Sequence, residues 1–261
     1  MDQYKERAKS ARLKVLDMIF KAQSSHIGSN FSCIDILAVL FSKIDFSKDK
    51  FICSAGWKAA SVYYFLYEKG IVTEQELDSY CQGDSPFIGL VEPMGRPGLE
   101  FAGGSMGYGL PAAVGFALAK KMKGEEGTVY CLMSDGELAI GTTWEAALIA
   151  AHHKLDNLVV IVDQNGFQAM GTTDDILNTN RTDVWYDLGW ETHYIKGHNF
   201  ENMEAALSTY YPNGGQPAPL IIFADTVKGK GVSFMENNNL YHYKNLSLVE
   251  YGLAKEELLN A

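Results

Sequence analysis

The chain has 261 residues, 47% of them hydrophobic, a formal net charge of −10 and an isoelectric point near 5.1. This length and apolar content bury a substantial core, while the acidic balance argues against nucleic acid or an anionic membrane as the main partner, since both reward net positive charge. Four widely spaced cysteines, Cys33, Cys53, Cys81 and Cys131, contain no CxxC pair and indicate neither a zinc site nor a disulfide framework. Charges interrupt every apolar run of the N-terminal segment, unlike a secretory signal. No stretch approaches the roughly 18 apolar residues of a membrane span, so the expected location is cytoplasmic.

In chain order, Ala8, Ala11, Val15, Leu16, Ile19 and Phe20 recur at helical spacing and predict an amphipathic helix ending near Ser24–Ser25. A second helix is expected from Cys33 to Phe41, then a strand at FICS (Phe51 to Ser54) and a helix over Ala59–Tyr67. The span from Gln82 to Gly104, with Pro86, Pro93 and Pro97, reads as a long irregular connection of the kind that carries function. Beyond it come a helix from Pro111 to Met122, a strand from Thr128 to Met133, a helix from Thr142 to His153 and a strand from Leu158 to Asp163. GWETHYI (Gly189 to Ile195), a helix near Phe200–Tyr210 and PLIIFAD (Pro219 to Asp225) complete the series. Helices alternating with short runs apolar on both faces predict an α/β fold, a mostly parallel sheet covered by helices on both faces, as one domain over residues 1–261.

The informative stretch runs from Ser134 to Phe167. Asp135 directly follows one expected strand and Asn165 lies thirty residues later, two past the next strand. A right-handed βαβ crossover carries both to the same carboxyl edge of the sheet, where open α/β folds bind ligands. A carboxylate, an amide oxygen and a backbone carbonyl suit magnesium, which takes hard oxygen ligands and leaves positions for phosphate and water. Gly136 has no side chain to obstruct phosphate approaching backbone N–H groups.

Asp-Gly followed about thirty residues later by Asn resembles the thiamine diphosphate motif. With WEAALIAAHHKLDNLVVIVDQN, GGSMGYGLPAAVGFALA and TVKGKGVSFMEN, nearly the whole chain resembles the N-terminal subunit of split bacterial transketolases. The resemblance implies thiamine diphosphate and Mg2+ as cofactors, the metal held by the side chains of Asp135 and Asn165 and the backbone carbonyl of Phe167. It implies Gly136 and Glu137 against the diphosphate, and Gly104 and Met106 near the pyrimidine. His26 of SSHIGS and His242 of LYHY correspond to substrate-facing histidines, suited to moving protons if they titrate near neutrality, and Glu145 to a retained active-site acid. The pyrimidine-binding domain and its glutamate are expected on a second polypeptide, a C-terminal transketolase-like subunit, in an α2β2 assembly. The cofactor would cleave a ketose or 2-oxo acid donor and pass the fragment to an aldehyde or ketone acceptor.

The sequence departs from that family at Trp57 and Leu90, where histidines are usual, at Ser134 in place of glycine, and at Ile140 in place of a glutamate. Loss of two imidazoles and a carboxylate implies a less polar pocket and an unusual substrate. Two competing readings are a 2-oxo acid decarboxylase or carboligase subunit, separable by carbon dioxide release, and a non-catalytic scaffolding subunit, separable by failure to bind cofactor. Gly107 to Ala112 also satisfies GxGxxA, but no clear strand precedes it. Adjacent His152 and His153 point apart on a helix and read as packing or exposed residues. Lys228 and Lys230 are open between an anion contact and a solvated turn, and Asn237 to Asn239 read as a turn.

Overall fold

The structure, a computed structural model, describes residues 1–179, 181–208 and 217–260. Two helices, α1 (Asp2–Ala22) and α2 (Ile27–Lys43), precede β1 (Lys50–Cys53). Then follow α3 (Ala59–Glu68), α4 (Glu74–Asp78), α5 (Gly109–Lys123), β2 (Val129–Ser134), α6 (Gly141–His152) and β3 (Leu158–Gln164). The rest comprises α7 (Thr173–Ile176), α8 (Thr182–Asp187), β4 (Glu191–Lys196), α9 (Phe200–Ser208), β5 (Leu220–Asp225) and α10 (Leu248–Asn260). Each expected strand is present within a residue or two. The expected end of the α9 segment at Tyr210 lies outside the described residues.

The five strands form one sheet in the order β1-β2-β3-β5-β4, every pair parallel. Successive side chains of a strand face opposite sides, and the core divides accordingly. On one side Leu132, Ile161 and Ile222 pack with α1, α2, α3, α9 and α10; on the other Cys131, Met133, Val160 and Val162 pack with α5, α6 and Trp185 of α8. Helix α2 is buried at every position from Ile27 to Phe41 because it lies between the sheet and the outer helices; its sequence is largely apolar, and its buried Ser29, Asn30, Ser32 and Asp35 find polar partners or face the site. It begins at Ile27 rather than Cys33.

The register pairs Ser134 of β2 with Asp163 of β3, and Asp163 with Ala224 of β5. Residues just beyond these partners, Asp135, Asn165 and Thr226, therefore emerge together at the carboxyl edge. The long connection from Gln82 to Gly104 has no helix or strand and returns to this edge, where Gly103 packs on Gly56. Among the described residues no helix is long and apolar enough to cross a membrane.

Candidate active site

Asp135 and Asn165 meet through backbone. The Asp135 carboxylate accepts from the N–H of Gly136 at 2.9 Å and from the N–H of Gly166 at 2.7 Å. Gly166 has φ 77, a left-handed conformation that glycine adopts without steric cost, and this turn aims its N–H back at Asp135. Asn165 Oδ1 accepts from the Phe167 N–H at 3.1 Å, and Asn165 Nδ2 donates to Asp163 Oδ2 at 3.3 Å and Ser32 Oγ at 3.4 Å. The amide is thus anchored by its nitrogen, leaving its oxygen on the Phe167 side.

Asp163 is wholly buried and forms an ion pair with the wholly buried Lys58. Ser32 Oγ donates to it at 2.6 Å and Thr226 Oγ1 at 2.5 Å. Burial opposes ionisation, but Lys58 and the two hydroxyls bring this carboxyl below its ordinary range. Among the described residues no such cation pairs with Asp135. Burial, followed by the Asp163 charge, pushes its carboxyl up to about 7. A buried carboxylate short of positive charge, beside an anchored amide oxygen, is a donor set suited to a hard divalent cation.

A Cβ on Gly136 would sit 3.3 Å from Met106 Cε and 3.4 Å from Gln168 Cγ, and Gln168 Nε2 is buried with no hydrogen-bond partner among the described residues. An unpaired buried donor beside a bare glycine fits a phosphate oxygen. The Glu137 side chain does not share that role. It is 0% exposed; Oε1 accepts from Ser54 Oγ and from the Gly107 N–H at 3.1 Å, while Oε2 accepts from the Ser134 N–H at 2.8 Å. The Glu137 carboxylate braces three loops, which leaves its backbone for an anion.

The glycine-rich loop is held by close backbone packing. A Cβ on Gly56 would lie 2.2 Å from the Gly103 carbonyl oxygen, and one on Gly109 2.2 Å from Ser54 Cβ. Gly104 is exposed beneath Leu90, whose Cδ1 is 3.4 Å from the position of its missing Cβ, and Met106 is half-exposed. Ile140 packs its side chain onto Gly107, which has φ 78, so an apolar contact stands where the resemblance expects an acid.

His26 and His242 come together from distant segments, their rings 4.8 Å apart and edge-on. His26 caps α2 with φ 69, and its N–H donates to the His242 carbonyl at 2.9 Å. Its side chain pairs with Ser25 Oγ through Nδ1 at 2.6 Å. Burial first, then the nearby charges of Lys228 and Lys58, lower the His26 imidazole to about 4. Burial, then Lys228, His26 and Lys58, lower His242 to about 3. With both imidazoles lowered in this way, both rings are neutral at pH 7 rather than poised near neutrality. Glu145 does not join them. It is exposed on α6 in line with Leu148 and Ile149, which are 54% and 47% exposed; its carboxylate faces away from the core and does not reach the histidine pair within this chain.

Sequence reasoning missed Lys58, Asp163 and Gln168, left Lys228 open and took Asn239 for a turn. The available signal was an acid ending the apolar run LVVIVD: a carboxylate there is buried and requires a buried cation. No local pattern identifies that cation as Lys58, 105 residues earlier.

The sequence profile described as transketolase, thiamine diphosphate binding domain, matches residues 3–258. The chain is 37% identical over 270 residues to an apulose-4-phosphate transketolase subunit of Actinobacillus succinogenes, covering 98% of this chain and 96% of that one. It is 31% identical to a 6-deoxy-6-sulfo-D-fructose transketolase subunit of a Clostridium strain, covering 97% and 94%. Human transketolase is 32% identical, but the chain spans only 40% of its length. Transketolase from Campylobacter jejuni superposes with a TM-score of 0.91 at 30% identity, over 99% of this chain and 43% of that structure.

Proposed function

Because the chain belongs to the transketolase thiamine diphosphate-binding domain family, we propose that it is the cofactor-binding subunit of a heteromeric transketolase-like enzyme that transfers a two-carbon ketol or related acyl-type unit. The observation that carries this reading is the pairing of Asp135 with Asn165 across Gly166, beside the bare backbone of Gly136. In it, Asp135 and Asn165 hold Mg2+ through side-chain oxygens and Phe167 through its carbonyl. Gly136, the backbone of Glu137 and Gln168 Nε2 receive the diphosphate, and Gly104 and Met106 border the organic part of the cofactor. Thiamine diphosphate, when bound, supplies the nucleophilic carbon and electron sink for breaking and remaking a carbon–carbon bond beside a carbonyl.

The protein's part is positioning. His26 and His242, neutral at pH 7, hydrogen-bond to the donor's hydroxyl and carbonyl oxygens and orient them. His242 is buried and His26 half-buried, their rings edge to face. The glutamate needed at the cofactor's aminopyrimidine is assigned to a second, C-terminal transketolase-like subunit in an α2β2 enzyme of the cytoplasm. The names of the relatives, which describe each as one subunit of a transketolase, support a partner chain. Glu145, Leu148 and Ile149, an exposed acid with two exposed apolar side chains, are assigned to contact between subunits.

Calorimetry tests the cofactor assignment. The chain with its partner is expected to bind thiamine diphosphate only when Mg2+ is present. Asp135→Ala is expected to weaken this by two decades or more, since removing one partner of a buried charge pair typically costs about 3 kcal/mol or more. Equal binding with and without Mg2+ would refute the metal assignment, and no binding in any condition would favour the scaffolding alternative.

A further inference from the structure

Lys228 is 0% exposed, yet it reaches the histidine pair. Its Nζ lies 2.7 Å from Asn239 Oδ1 and 2.8 Å from His242 Nδ1, with the Phe167 ring centroid at 5.4 Å. The aliphatic stem fits because Gly28 has no side chain: a Cβ there would be 3.2 Å from Lys228 Cγ. The segment is held on both sides, since the Gly229 N–H donates to the Gly28 carbonyl and the Asn237 N–H to the Lys228 carbonyl, each at 2.9 Å.

The chemistry of these contacts has one consistent arrangement. Asn239 Nδ2 donates to the Ala169 carbonyl at 3.2 Å, which fixes the amide with its oxygen toward Lys228. An ammonium has three donors and no acceptor, so its contact with His242 Nδ1 requires the ring's lone pair on Nδ1. The proton of the neutral ring then belongs on Nε2. Burial first, then Lys58, lower Lys228 to about 8, which leaves it mostly an ammonium at pH 7.

We propose that Lys228 is a positioning residue that locks His242 in the Nε2–H tautomer, so that this ring presents a hydrogen-bond donor to the ketose rather than an acceptor. The chemical role rests on the transketolase-like reading; the tautomer is measurable without it. An Nε2–H donor stabilises negative charge developing on a carbonyl oxygen, or holds a hydroxyl by its lone pair, and it cannot take that hydroxyl's proton.

The test is long-range 1H–15N correlation of the full chain, labelled with 15N-histidine, at pH 7, with the His242 signals identified by their loss in His242→Gln. The pattern of a single Nε2–H tautomer is expected. In Lys228→Met it should give way to averaged tautomers, and Lys228→Arg should restore it. An Nδ1–H or averaged pattern in the unaltered protein, or no change in folded Lys228→Met, overturns the proposal. A second measurement needs no variant. The Lys228 15Nζ signal is expected as an ammonium with cross-relaxation to the His242 ring protons, and absence of that contact also overturns it. With the partner present, Lys228→Met should lower kcat about 10–100-fold, the usual range for a residue that orients another, with recovery in Lys228→Arg. If the unaltered enzyme has no transketolase activity, the functional reading fails while the tautomer result stands or falls separately.

Discussion

Asp135 and Glu137 are two residues apart, and both are buried carboxylates at the end of β2, yet their surroundings assign them opposite tasks. Asp135 accepts two backbone N–H groups and faces the negative Asp163, so it gains from a cation. Glu137 is surrounded by donors from Ser54, Gly107 and Ser134. Replacing it by glutamine would turn an amide N–H2 toward one of those donors. Glu137→Gln is therefore expected to destabilise the cofactor-free chain by about 1–3 kcal/mol, the cost of leaving a buried donor unpaired. A lowered thermal midpoint without cofactor supports the bracing role. An unchanged midpoint with weakened diphosphate binding would return the side chain to the cofactor.

At the scale of elements, the site depends on loops fastened to rigid helices and strands. Gly56 and Gly103 bring two connections to backbone contact, and there is no flexible side chain to yield: the atom facing a Gly56 Cβ at 2.2 Å is a carbonyl oxygen. Gly56→Ala should cost about 1–3 kcal/mol or more, as overpacking does, read as a fall in denaturation midpoint. The segment bearing Lys228 is tied to α1 and α2 by a second device. Arg12 pairs with Asp35 at 2.9 and 2.8 Å and also donates to the Lys230 carbonyl, while His198 Nδ1 lies 2.7 Å from Asp35 and the Val227 N–H donates to His198 Nε2. Burial alone would raise the Asp35 carboxyl, but Arg12 and His198 bring it down to about 2. Its folded value is depressed, so its stabilisation is complete above the unfolded value of about 3.9. It is lost as pH falls through about 2. Arg12→Met should cost about 3–5 kcal/mol near neutrality by stranding that carboxylate. The gap in thermal midpoint between the two proteins should be level down to about pH 4 and narrow as pH falls from there through about 2.

Over the whole molecule, the parallel sheet places the ends of β2, β3 and β5 at one edge, and the connections there decide which ligands the site accepts. Trp57 and Leu90 stand where the resemblance implies histidines, and Leu90 covers Gly104 with an apolar side chain. A pocket with fewer imidazoles holds vicinal hydroxyls less well. With the partner subunit present, xylulose 5-phosphate is therefore expected to turn over below about 1 per second, under the usual enzyme range. Steady-state turnover within that range would remove the substrate argument without touching the cofactor site.

Periodicity and spacing in the sequence were sufficient for the α/β class, the five strands and the convergence of Asp135 with Asn165, because those signals are local: alternating apolar runs, and two polar residues at the ends of adjacent strands. Two further signals were local but passed over. Thr73 with Glu76 caps α4 and Ser247 with Glu250 caps α10, each as a reciprocal pair. Lys58 beneath Asp163, Lys228 against His242 and the inward turn of Glu137 belong to the tertiary structure alone. Each joins segments far apart in the chain or depends on which way a side chain turns, and burial strengthens or silences a charge only once the fold has chosen its neighbours. The convergence of Asp135 and Asn165 at one sheet edge was therefore legible in the sequence, whereas the protonation states of His26 and His242 were decided by packing.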